Sequence, residues 1–111
     1  MDGSEANFVN GSGQPQLTIH CTRAVRQVII FKPSSSIAPF LWVWTSGPTR
    51  NVPASFNPAT GRVSATLAAY DPLLDAIAFS RGRVAFQLTG QPMLIVPAWQ
   101  EATRVIEDCR V

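Results

Sequence analysis

Charge is scarce in this 111-residue chain: Asp, Glu, Lys and Arg make up 14% of it, against roughly 25% in an ordinary globular protein. There is one lysine, Lys32, one histidine, His20, and eight arginines scattered from end to end. A net charge of +2 without a basic cluster excludes the electrostatic footprint of a nucleic-acid binder. No apolar run is long enough to cross a bilayer as a helix. No Walker loop is present, and no G-x-G-x-x-G follows a strand. Two cysteines and one histidine without paired spacing fall short of a closed metal-ligand set. The carboxylates are Asp2, Glu5, Asp71, Asp75, Glu101, Glu107 and Asp108. No two of them are placed by their pattern in a common cleft, which argues against a two-carboxylate hydrolase. His20 falls on the outward side of a strand with no nucleophile beside it in the pattern. No catalytic residue, cofactor or metal ligand is therefore assigned.

What the chain does have is apolar residue, 46% of the total, enough to rule out a disordered polymer and to form one domain. The low charge suggests that part of the surface is normally covered. Residues 1–15 are polar and rich in Gly and Ser, and are expected to be a flexible linker. They lack the basic and apolar regions of a secretion signal, so the expectation is that a signal or an upstream domain has been removed. Within them, Asn10-Gly11-Ser12 fits the N-glycosylation acceptor pattern, a triplet common by chance. Residues 16–111 are expected to form the single folded domain.

Cys21 and Cys109 lie near the two ends of that domain. They are either two buried thiols of a reducing compartment or one disulfide, and their position at the two ends favours the disulfide. Such a bond implies an oxidising compartment.

Along the chain, "QLTIHC" alternates Leu17, Ile19 and Cys21 against Thr18 and His20, a half-buried strand. "AVRQVIIFK" is a second strand, apolar on both sides. "FLWVWTS" is a third, again apolar on both sides: Leu41 and Val43 alternate with Phe40, Trp42 and Trp44. "TRNVPASF" is an irregular fourth, which Pro53 confines to an edge or a bulge. "RVSATLAA" is the fifth. Asp71 then caps a short helix over about 71–80, with Pro72 in its first turn. Gly82 is expected to be the C-cap of that helix. "RVAFQL" and "PMLIVP" form a hairpin. A last helix over about 98–109 carries the stripe Trp99, Ala102, Ile106 and Cys109. Many short strands with Pro/Gly turns predict a mainly β (α+β) fold. The expected form is an antiparallel sandwich or partly open barrel of about seven strands, with the helices plugging an end or covering a side.

The doubly apolar strands raise the question of what covers their second face. If the second and third strands pair, Ile29, Phe31, Phe40, Trp42 and Trp44 line one continuous apolar face. It is either the inner half of a sandwich or an exposed contact surface. "SRGR", Ser80 to Arg83, sets Arg81 and Arg83 around a glycine, which is either a helix cap or an anion cradle.

The run from Asp71 to Arg110 resembles the C-terminal part of small secreted proteins of sphingomonad-type alphaproteobacteria. More distantly it is similar to the invasion-associated locus B family of periplasmic β proteins. The features that carry the resemblance are Asp71, Leu74, Ser80-Arg81-Gly82-Arg83, Pro97, Trp99 and Cys109. It covers about the last forty residues. It implies an envelope location, a disulfide with Cys21 as the mate of Cys109, a β-rich fold and no enzymatic activity.

The expected function is thus a non-catalytic envelope domain, periplasmic or secreted, that acts by contact with a protein partner or by self-association. The alternative is a module that binds glycans or small anions. The candidate binding residues are Phe31, Phe40, Trp42, Trp44, Arg81 and Arg83.

Overall fold

Period-2 alternation builds two separate sheets in this protein, a computed structural model of which describes residues 4–97 and 99–111. In chain order the strands are β1 (Glu5–Val9), β2 (Pro15–Thr22), β3 (Gln27–Pro33), β4 (Phe40–Trp44), β5 (Thr49–Pro53), β6 (Ser55–Asn57) and β7 (Arg62–Ala68). Helix α1 (Pro72–Ala78), strands β8 (Arg83–Leu88) and β9 (Leu94–Pro97), and helix α2 (Gln100–Asp108) complete the chain. One sheet has the order β1-β2-β3-β7-β6 and the other β5-β4-β8-β9. Every neighbouring pair is antiparallel. The mainly β, sandwich-like class predicted from the sequence is what forms, with no closed barrel.

The inward positions follow the alternation. Leu17, Ile19 and Cys21 of β2, Val28 and Ile30 of β3, and Val63, Ala65 and Leu67 of β7 are buried from the five-stranded sheet. Leu41 and Val43 of β4, Val52 of β5, Val84, Phe86 and Leu88 of β8, and Val96 of β9 are buried from the four-stranded one. They form a single cluster with the apolar sides of both helices.

Three expectations are corrected. First, residues 5–9 are not linker but the edge strand β1, with Ala6 opposite Ile19 and Phe8 opposite Leu17. Two apolar positions suffice, because the backbone bonds to β2 supply the rest. Ala6 is buried, and Phe8 meets Trp99 edge-on at 5.8 Å. The hairpin tip is held by Asn10, whose Oδ1 accepts from the Ser12 and Gln14 amides at 2.9 and 3.0 Å. Gly13 completes the turn at φ 79°. The linker reading of residues 1–3 lies outside the described residues.

Second, the described residues hold nine strands and not about seven. Besides the added β1, the irregular "TRNVPASF" breaks at Ala54, with β5 joining one sheet and β6 the other. Pro53 stands on an edge, as expected, because β5 pairs only with β4. Third, α1 ends at Ala78 with Phe79 as its C-cap, so Gly82 is not the cap. With φ 85°, Gly82 instead turns the chain into β8.

Helix α1 starts as predicted. Asp71 accepts from the Leu73 amide at 2.9 Å and Pro72 opens the first turn. Both Asp71 oxygens also accept from Arg50, at 2.6 and 3.0 Å, a bidentate pair that ties β5 to the helix. Helix α2 buries Ala102, Val105 and Ile106 and packs on α1, β1 and β2. The expected start of this helix at residue 98 lies outside the described residues. Trp99 stands at the N-cap position, one residue before the helix, and is partly buried against the same core as Ala102, Ile106 and Cys109 of the predicted stripe. No ion pair joins Arg104 to Asp108 among the described residues.

Cys21 and Cys109 are disulfide-bonded, so β2 is fastened to the end of α2. The next residue, Arg110, donates to the Ala69 carbonyl and to Asp75, both at 2.6 Å. No helix among the described residues is long and apolar enough to cross a membrane.

Candidate functional surface

The outer face of the four-stranded sheet is where the aromatic residues gather. Because Leu41 and Val43 go into the core, Phe40, Trp42 and Trp44 must stand on the other side of β4. Register supplies their neighbours. Trp42 lies between Asn51 of β5 and Gln87 of β8. Trp44 lies between Thr49 and Ala85, and Ala85 is opposite Ile95 of β9. Phe40 is opposite Pro53.

The two indoles are stacked, with centroids 5.9 Å apart and planes 19° from parallel. Phe40 is 39% exposed, Trp42 37%, Met93 46% and Ile95 50%. Trp44, Ala85 and Gln87 are half-buried. The second side of "FLWVW" is therefore surface and not sandwich interior.

Charge is nearly absent from the four strands. They carry Arg50, which Asp71 engages, and Arg83, which has no ion pair among the described residues. Arg83 starts β8 opposite Pro97, two residues from Ala85 and on the same side of the strand. It stands at the Trp44 end of the face.

Arg81 sits in the loop before it, clamped to the β4–β5 turn. Its amide donates to Ser46 Oγ at 3.0 Å, and the Ser46 amide donates to Ser80 Oγ at 2.9 Å. The Arg83 amide is bonded to the Arg81 carbonyl at 3.1 Å. Of the amides that an anion cradle at "SRGR" would need, those of Ser80, Arg81 and Arg83 are thus already taken.

Phe31 does not belong to this face. It lies on β3, in the other sheet, because β3 pairs with β2 and β7 and never with β4. The continuous five-residue face expected from pairing of those two strands does not form. Ile29 and Phe31 line the outer side of the five-stranded sheet, where Arg62 lies 4.1 Å over the Phe31 ring. Asn51, Gln87, Met93 and Ile95 are the members of the aromatic face that the sequence did not reveal. Ile95 had a signal in the alternation of "PMLIVP", but which strand it would neighbour is a matter of register.

His20 is on the outer side of its strand, as expected, and unexpectedly has a carboxylate partner: Nδ1 is 3.2 Å from Glu5 Oε2. No hydrogen bond joins His20 to a hydroxyl or thiol among the described residues. Lys32 is half-buried near the end of β3, and that burial lowers its pKa from the ordinary ammonium value. A cavity of about 30 Å³ between α1, β8, β9 and α2, lined by Ile77, Phe86, Val96 and Ala102 among others, has room for a water-sized group and no ligand.

No protein-family model, curated protein or solved structure matches this chain.

Proposed function

We propose that this chain is a non-catalytic contact domain of an oxidised, extracytoplasmic compartment. It docks a partner protein on the outer face of the four-stranded sheet. The observation that carries the reading is the exposed group of Phe40, Trp42, Met93 and Ile95 around a stacked indole pair. Contiguous apolar surface rimmed by polar residues marks interaction sites, and exposed Trp and Arg are the residue types that dominate binding energy. The partner surface is apolar with a carboxylate at one margin, since Arg83, without an ion pair among the described residues, is the charge this face offers there. The disulfide supports the compartment, because such bonds persist where thiols are not kept reduced.

The test is the native size of the tagged chain in an extract of its own host, with and without the substitutions Trp42→Ser and Trp44→Ser. The wild type runs as a complex and the double variant at its own 12.0 kDa, folded. A wild type already at 12.0 kDa, or a double variant that does not fold, overturns the reading. A complex of twice the chain mass identifies a second copy as the partner and replaces the heterologous reading with self-association.

One observation favours a second reading, glycan binding. The amides of Asn51 and Gln87 flank Trp42, and indole stacking beside amide hydrogen-bonding groups suits a sugar ring. Gln87 already donates to the Gln91 carbonyl at 2.8 Å, which leaves fewer groups to a ligand. A tryptophan-fluorescence response to oligosaccharides, with no change in mass by light scattering, would favour this reading.

A further inference from the structure

The opposite side of the molecule carries a polar groove unrelated to the aromatic face. It runs between the β1–β2 and β6–β7 hairpins, over the end of β3, and has an open volume of about 490 Å³. That is within the roughly 300–1,000 Å³ of small-molecule sites. One wall carries the amides and hydroxyl of Asn7, Gln14, Gln16 and Thr18 beside Pro15, and the other is formed by Pro33, Thr60, Gly61 and Arg62. Gln16 and Thr18 point outward because Leu17 and Ile19, between and beyond them, are fully buried.

Two features prepare this groove for a ligand. Thr18 is 5% exposed, and its hydroxyl donates to Asn7 Oδ1 at 2.6 Å. That bond fixes the Asn7 amide with its oxygen turned to Thr18. Arg62 is held 4.1 Å over the Phe31 ring and has no carboxylate partner among the described residues. Contact with a ring limits the freedom a guanidinium must lose on binding, and its N–H fork matches a carboxylate or sulfate. The nearby carboxylate on this face, Glu5, is held by His20 and Asn7, so no acidic residue lines the groove.

We infer that this groove binds an anionic saccharide of one or two rings, with Arg62 on the acidic group and Gln14 and Gln16 on the hydroxyls. One cation calls for one negative charge, and a wall of amides calls for a ligand dense in hydroxyls.

The experiment is a titration followed by ¹H–¹⁵N NMR of the side-chain amides of Gln14 and Gln16 and of Arg62 Nε–H. The probes are a glucuronate-containing disaccharide, its neutral glucose counterpart and inorganic sulfate. The acidic disaccharide should move all of these signals and the neutral one should not. Arg62→Gln should weaken binding about tenfold or more, with the backbone spectrum elsewhere unchanged. Arg62→Lys should restore only part of the affinity, because the charge returns without the fork. Absence of shifts with the acidic disaccharide overturns the site. Equal binding of sulfate and disaccharide overturns the saccharide assignment. Wild-type affinity in Arg62→Gln overturns the role given to Arg62. None of these outcomes bears on the Trp42/Trp44 face.

Discussion

Reduction of the Cys21–Cys109 bond should remove a large part of the stability of this domain. The two cysteines are 88 residues apart, and the chain-entropy relation for a loop of that length gives about 4.6 kcal/mol at 25 °C, a model-dependent figure. A domain of 111 residues has only about 5–15 kcal/mol in all. Its unfolding entropy near 60 °C is on the order of 0.23 kcal/mol/K, so the same loss lowers Tm by about 20 °C. The assay is thermal unfolding by circular dichroism of the oxidised protein, the reduced protein, and a variant with Cys21→Ala and Cys109→Ala. Both side chains are fully buried, so the alanine variant loses packing as well and should be the least stable of the three. Urea unfolding of oxidised and reduced protein should show a larger m-value for the reduced form, whose unfolded chain is no longer cross-linked. A Tm drop below about 5 °C on complete reduction would refute the reasoning. So would alkylation of both sulfurs in the unreduced native protein after denaturation.

Further outcomes follow from single contacts. Asp71→Ala removes both the helix cap and the Arg50 pair, and should cost about 1–2 kcal/mol by chemical unfolding. Hydrogen bonds from Arg50 lower the pKa of the Asp71 carboxyl from its ordinary value. Its contribution is therefore complete above the unfolded carboxylate value of about 4 and is lost as pH falls through the lower folded one; wild type and Asp71→Ala should converge in stability on acidification. Phe86→Ala, at a position 1% exposed, should cost about 3–5 kcal/mol, which a urea titration reads directly. Phe8→Ala removes the edge-on contact with Trp99 and should cost about 1–2 kcal/mol. Hydrogen exchange in Phe8→Ala should show loss of protection in β1 before the rest of the sheet.

Much of this architecture was legible because period-2 alternation places side chains before any partner is known. β2 and β7 alternate cleanly, and apart from Thr18 their buried residues are the inward ones. The start of α1 was legible from Asp71 and Pro72, whose roles are local. The disulfide was legible from the position of two cysteines at the two ends of the domain. The division into two sheets was not legible. β3 and β4 are both apolar on two sides, and nothing in "IIF" or "FLWVW" says that they belong to different sheets. The grouping of Phe31 with Trp42 and Trp44 failed for that reason. β1 was hidden because Ala6 and Phe8 are its only inward apolar residues, in a segment otherwise polar enough to read as linker. The break at Ala54 was hidden because a strand that changes sheet keeps its composition. The groove at Arg62 was hidden for a third reason: its walls come from two hairpins far apart in sequence.

Site-directed photo-cross-linking in the native host tests the contact surface most directly. Trp42, on the outer face of the four-stranded sheet, is replaced by p-benzoylphenylalanine, and in a parallel protein the exposed Thr66, on the outer face of the other sheet, is replaced instead. A discrete adduct on irradiation from position 42 and none from position 66 is the predicted result. Equal adducts from the two positions, or none from position 42, would contradict it.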